Sequence, residues 1–278
     1  FSLFISWAPP HNPYHEMPEK YDRYDPEEID LRPNTEEFAR EDIAGYYGHI
    51  TALDRNLGRL LLELEEQGIA EDTIVVFTSD HGDMLGAQGL ERKQKPWDES
   101  IMVPWVMQWP GELPAGLRTD TLINAPDIMP TLLSLMGVEV PDTAQGYDLS
   151  RAARNEGGIE PTSAYIANPM PFPGDQHDMG AWRGVRTKTH TYVEDEEGPW
   201  LLYDNVADRY QQTNLIDDPD VANVRRELHE ELVAWMAEIG DDGASKDELV
   251  ERFGYEVDER GVVPYYNEVG LNDPDNEG

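Results

Sequence analysis

Asp80 and His81 stand side by side in VVFTSDHGDMLG (Val75–Gly86), three and four residues past the last aromatic of an apolar run. A carboxylate beside an imidazole can ligate a divalent cation. Gly82, which follows, allows the sharp turn that would aim both side chains at one centre. Asp-His-Gly is also an ordinary turn sequence, and the triplet alone does not choose between the two. Seven residues beyond Gly82, GLERKQKPWDES (Gly89–Ser100) begins and carries Lys93 and Lys95, in a chain with five lysines. A fixed ammonium suits an anion; a solvated basic patch is the plainer reading. A third group, His11, lies just past FSLFISW, between Pro10 and Pro13, whose stiffness lowers the entropy cost of fixing an imidazole. It could donate to an anion, act as an acid, or be merely solvated. A metal pair, a cationic donor and a positioned imidazole together describe a site for a tetrahedral oxyanion ester. The metal polarises the ester oxygens and the cation offsets developing charge.

These groups need strand ends to hold them, because open parallel sheets bind ligands beyond the carboxyl ends of their strands. FSLFISW (Phe1–Trp7) reads as a buried strand and APPHNPY as a rigid loop. A chain that opens on a strand is expected to be a fragment or a processed form. Met17–Asn34 has three prolines and no period, hence irregular surface. From Glu36 to Gln67, Ile43, Tyr46, Tyr47, Ile50, Leu53, Leu57, Leu60, Leu61 and Leu64 recur at helical steps, up to a stop at Gly68. Thr73–Phe77, apolar throughout and β-branched, predicts a strand covered on both faces, as in a parallel sheet. Val103–Gly111 predicts another strand, and Asp127–Gly137 a helix with Pro130 near its start. The order is α/β. After about residue 150, AWRGVRT, HTYVE and WLLYD predict a small antiparallel sheet, followed by a helix from Asp220 to about Ile239. The predicted domains are 1–150 and 151–278. The terminal GLNDPDNEG is expected to fray.

The 278 residues carry 57 acidic against 21 basic side chains, a net charge of −36. That excludes a general nucleic-acid binder, which needs Lys and Arg for phosphates. An evenly acidic, lysine-poor chain resembles proteins of salt-loving organisms, where salt screens the self-repulsion. With no cysteine, disulfides and thiolate ligands are excluded. No apolar run approaches membrane-spanning length.

Over nearly its whole length the chain resembles a sulfatase of the alkaline-phosphatase-like superfamily. PPHNPY is similar to the family's Pro-His-x-Pro segment. Tyr46–Leu90 resembles its helix–strand–metal-loop block almost without gaps, and VPWVMQWPG and APDIMPTLLSLMGVEVP its next strand and helix. WRGVRTKTHTYV and LLYDNVADRYQQTNL resemble its C-terminal subdomain. The resemblance implies a mostly parallel alkaline-phosphatase-like sheet flanked by helices, present in part, plus a small α+β subdomain. It implies one divalent cation, calcium in the family, on Asp80, with His81 standing where relatives carry Asn or His. A nitrogen there suits softer ions as well. Lys93, four residues after Gly89, matches the lysine that contacts the sulfate group, with Lys95 a weaker match. His11 matches the histidine that contacts sulfate or aids the leaving group. The family's nucleophile is a formylglycine made from Cys or Ser in a Cys/Ser-x-Pro-x-Arg motif, and an Asp-Asp pair completes the metal shell. That motif is not found here and no Asp-Asp pair precedes Asp80, so both are expected in an N-terminal part, and the chain alone is expected to be inactive. The implied substrate is a small-molecule or carbohydrate sulfate ester. A phosphodiesterase or phosphonate monoester hydrolase of the same superfamily, or a non-catalytic binding module, are the alternatives.

Overall fold

The computed structural model describes residues 1–171 and 179–259, which fall into two compact units. The first holds Phe1–Lys93 and Trp97–Thr162; the second holds Gln94–Pro96 and the chain from Ser163 onward. The terminal GLNDPDNEG lies outside the described residues.

In the first unit the long amphipathic stretch forms α1 (Arg40–Glu66), led in by a 3₁₀ turn at Glu37–Ala39 and closed by Gly68 at φ +69°. Only its N-terminal half is buried, through Ile43, Ala44, Gly45, Gly48, His49 and Leu53. Ile43 and Ala44 join Ile29 and Ala39 in a small core, with Tyr24, Leu31 and Leu85 packed against it. Farther along, the predicted stripe thins to half-buried leucines, and Tyr47 and Ile50 are exposed. Two glycines on the buried face let the irregular N-terminal segment lie directly on the helix. A Cβ at Gly45 would collide with the Tyr14 carbonyl, and one at Gly48 with the Met17 sulfur.

Thr73–Phe77 yields β1 (Val75–Thr78), followed by the short helix α2 (Asp98–Ile101) and β2 (Trp105–Gln108). The two strands pair with each other antiparallel, Val75 opposite Gln108 and Thr78 opposite Trp105. Continuous apolarity predicts cover on both faces. Here Val75–Phe77 are half-buried and Val106 is exposed, because among the described residues no third strand joins the ribbon. FSLFISW likewise differs from its reading as a buried strand. It joins no ladder, and Phe1, Leu3 and Phe4 are exposed, since a strand forms only where a partner satisfies its backbone groups. Asp127–Gly137 becomes a 3₁₀ turn with a capping box on Asn124, then α3 (Ile128–Leu135), ended by Gly137 at φ +68°. The short α4 (Ser150–Ala153) follows.

The second unit is an antiparallel sheet in sequence order: β3 (Ser163–Asn168), β4 (Trp182–Thr187), β5 (His190–Asp195) and β6 (Gly198–Asp204). Helix α5 (Ala222–Ile239) packs Leu228 and Leu232 onto Val185, Tyr192 and Leu202. A last helix, α6 (Lys246–Phe253), is opened by a Ser245–Glu248 capping box. Arg183 on β4 is buried. Its Nε donates to both oxygens of Asp241, at 3.0 and 2.9 Å, and one terminal nitrogen donates to the Ala244 carbonyl at 2.8 Å. Tyr165 Oη adds a bond of 2.6 Å to Asp241.

Candidate functional site

Where β1 ends, the backbone hands its polar groups to the loop that follows. Ser79 Oγ donates to Asp80 Oδ1 at 3.2 Å and to the His81 carbonyl at 2.9 Å, and the His81 amide donates to Asp80 Oδ1 at 3.0 Å. The loop is pinned to the segment opening at α2 by Gly82 N–H donating to Ser100 O at 2.8 Å. Gly82 is needed here for close approach and not for a left-handed turn. Its φ is not positive, and a Cβ on it would collide with the Glu99 carbonyl oxygen.

His81 Nδ1 lies 2.7 Å from the Gly82 carbonyl, which can only accept, so Nδ1 carries the proton and Nε2 keeps its lone pair. That lone pair stands 3.5 Å from Asp80 Oδ2. Two donors at this separation suit neighbouring positions on a cation with bonds of about 2.0–2.6 Å. Partial desolvation raises the Asp80 carboxyl, but the positive charge of a protonated His81, the amides and Ser79 outweigh it, so the pKa sits below the ordinary carboxylate value. With His81 neutral, Nε2 is the ring nitrogen left to ligate beside the Asp80 carboxylate. Among the described residues no third His, Asp or Glu joins it to make a set of three.

His11 and Lys93 meet across 82 residues of sequence, with Lys93 Nζ 2.7 Å from His11 Nε2. His11 Nδ1 is 2.8 Å from the Asn12 carbonyl and so carries the proton, which makes Nε2 the acceptor of the Lys93 ammonium. The His11 ring also stands edge-on to that of His81, 6.5 Å between centroids. The three readings of Lys93, His11 and the Asp80–His81 pair therefore converge in one small region. Lys95 is buried and falls in the second unit. Trp97 is buried, and Trp109 donates to the Glu71 carbonyl under the Arg154 guanidinium.

The segment that presents Lys93 is wound tightly. Leu85, Gln88, Arg92 and Gln94 all take positive φ, as do Gly86 and Gly89. Cross-bonds tie Met84 N to Arg92 O at 2.7 Å and Gly86 N to Leu90 O at 2.8 Å. Lys93 is flanked on both sides by left-handed residues, a costly backbone of the kind that collects at functional sites. Two residues that sequence reasoning missed hold this together. Asp83 accepts from Tyr14 Oη at 2.7 Å, from Leu85 N at 3.2 Å and from Arg92 N at 3.0 Å. Its bond to Leu85 is an Asx turn, legible in principle from an Asp just after a glycine. Its partner Tyr14 gave no such signal.

A family model described as Sulfatase matches residues 2–138, and a second, described as N-sulphoglucosamine sulphohydrolase, C-terminal, matches residues 86–238. The chain is 39% identical over 275 residues to an ulvan-active sulfatase of Formosa agariphila, covering 96% of this chain and 54% of that protein. It spans about half the length of the curated relatives it matches. Among solved structures, it is similar to a protein captured with its substrate D-glucosamine-2-N,6-O-disulfate: TM-score 0.68, 28% identity, 73% of this chain and 42% of that one. It is also similar to the phosphonate monoester hydrolase of Agrobacterium radiobacter: TM-score 0.65, 28% identity, 84% of this chain and 47% of that one.

Proposed function

Because this chain belongs to the sulfatase family, whose alkaline-phosphatase-like α/β fold it shares, we propose that it supplies the metal-pair and lysine side of a site that hydrolyses an organic sulfate ester. Asp80 and His81 would hold one divalent cation, calcium or a softer ion that accepts nitrogen. Bound there, the cation polarises the ester oxygens and lowers the cost of the attacking nucleophile. Lys93 would meet the sulfate group. Among the described residues its hydrogen-bond partner is His11, which leaves two N–H donors uncommitted. Because His11 Nε2 is occupied as an acceptor, the proton nearest a bound oxyanion is on Lys93, and His11 orients that ammonium. A departing alkoxide would take its proton from the Lys93–His11 pair. The nucleophile is a formylglycine from residues outside these 278, whose sequence holds neither cysteine nor a Ser-x-Pro-x-Arg motif. On this reading the purified chain does not turn over 4-nitrophenyl sulfate. The substrate class is a carbohydrate sulfate, supported by the named substrates of the relatives and by nothing more specific in this chain.

The observation that carries the reading is the 2.7 Å Lys93–His11 contact beside the Asp80–His81 pair. Titration with manganese, followed by NMR, tests it. Amides of Ser79–Gly82 should broaden at lower metal concentration than those beside other surface acids, and Asp80→Ala should abolish that selectivity. Uniform broadening along the chain would sink the metal assignment. A phosphonate or phosphate monoester is the second reading, favoured by the likeness to the phosphonate monoester hydrolase. A methylphosphonate ion that shifts the Lys93 and His11 signals at lower concentration than sulfate does would favour it.

A further inference from the structure

We propose that Asp83 is the positioning residue of this site, its carboxylate setting the spacing of Lys93, His11 and the Asp80–His81 pair without touching the substrate. Three segments meet on it. It belongs to the loop of Asp80 and His81. Through Arg92 N–H it holds the residue before Lys93, and through Tyr14 Oη it holds the loop of His11, three residues away. Three of its roughly four lone-pair sites are thereby committed, counting Leu85 N–H, which leaves it poorly placed to act as a metal ligand or a base. Tyr14 is an anchor worth holding. It is buried, edge-on to Tyr46 at 6.1 Å between centroids, and its backbone lies on Gly45. Burial first, then the Asp83 hydrogen bond, pushes its hydroxyl pKa far upward, so it stays a donor at every ordinary pH. Asp83 itself binds donors only, so it needs no proton change to hold all three segments.

The inference rests on the reading of Lys93 and His11 as an anion site, and the test keeps the two apart. Three variants separate connectivity from charge. Asp83→Asn can keep every bond, because its carbonyl oxygen accepts both amides and its amide group donates to Tyr14 Oη. Tyr14→Phe cuts only the link to the His11 loop, and Asp83→Ala cuts all three. The first readout is the His11 tautomer, by ¹⁵N-histidine NMR. The second is the apparent Kd for inorganic sulfate, at constant ionic strength. In the wild type, and within twofold in Asp83→Asn, His11 stays in its Nδ1–H form and sulfate binding is retained. In Tyr14→Phe and Asp83→Ala the Nε2–H form gains population and the sulfate Kd rises about three- to tenfold, the loss of roughly one hydrogen bond. His190 and His229, bonded to Thr189 and Glu194 in the second unit, report whether that part of each variant is folded. If Asp83→Ala does not fold, Tyr14→Phe decides. An unchanged His11 tautomer and sulfate Kd in folded Tyr14→Phe would overturn the proposal. If sulfate moves no wild-type signal, the anion reading fails, and the tautomer alone judges Asp83.

Discussion

Replacing Gly82 with alanine should be costly for a reason that can be sized. The added Cβ meets the Glu99 carbonyl oxygen well inside van der Waals contact, and that carbonyl is backbone, not the movable end of a side chain. The loop must therefore lift away from Glu99 and Ser100, stretching or breaking the 2.8 Å bond from Gly82 N–H to Ser100 O. Losing that bond costs about 1 kcal/mol net. Forcing the two backbones apart adds about 1–3 kcal/mol, the usual range for overpacking. The sum is about 2–4 kcal/mol. Two other glycines calibrate it. Gly58, exposed within α1 with nothing near its missing Cβ, should gain about 0.5–1 kcal/mol as alanine, from helix propensity alone. Gly89 has open space but φ +72°, so alanine there should cost about 1–2 kcal/mol. Urea unfolding followed by tryptophan fluorescence should give the order Gly58→Ala, wild type, Gly89→Ala, Gly82→Ala, from most to least stable. A Gly82→Ala protein no less stable than Gly89→Ala would refute the close-approach argument.

Two further outcomes concern charge. Partial desolvation pushes the Asp241 carboxyl up, but the hydrogen bonds from Arg183, Tyr165 and Gly243 N–H outweigh it and hold the pKa below the ordinary carboxylate value. A depressed folded pKa gives stability that is full above the unfolded carboxylate pKa of about 4 and is lost as pH falls through the folded value. Asp241→Asn should thus cost about 2–4 kcal/mol at neutral pH, toward the low end for a buried pair because Asp241 keeps some exposure, and should flatten the acid limb of unfolding; an unchanged acid limb would remove Asp241 from that role. With a net charge of −36, thermal stability should climb as sodium chloride is raised from about 0.1 M, where the screening length is about 10 Å, to about 1 M, where it is about 3 Å. A melting temperature flat across that range would show that self-repulsion is not limiting.

Long periodic elements were legible in the sequence because burial imposes their period: α1, α3 and α5 lie where the apolar spacing puts them. The strand β3, SAYIAN, was not, because its small residues dilute any alternation, and the sheet, not the segment, supplies its order. Helix α6 could have been read from Ser245-Lys-Asp-Glu248, a capping box in plain view. FSLFISW misled because apolar composition states what a segment needs, not whether a neighbour provides it. The candidate residues Asp80, His81, Lys93 and His11 were nameable from residue type and loop position. The hydrogen bond between Tyr14 and Asp83 was not, since the two lie 69 residues apart in sequence and no local pattern encodes their contact.

The wound loop before Lys93 closes on itself within a few residues, Met84 to Arg92 and Gly86 to Leu90. Lys93 and His11 must close a ring of 82 residues. The entropy of ring closure grows with the logarithm of ring size, so the second closure costs about 2 kcal/mol more than a ring of nine. The two parts of the site therefore differ in what it costs to close them. The lysine's perch rests on local closures, whereas the imidazole's place beside it depends on the long-range fold.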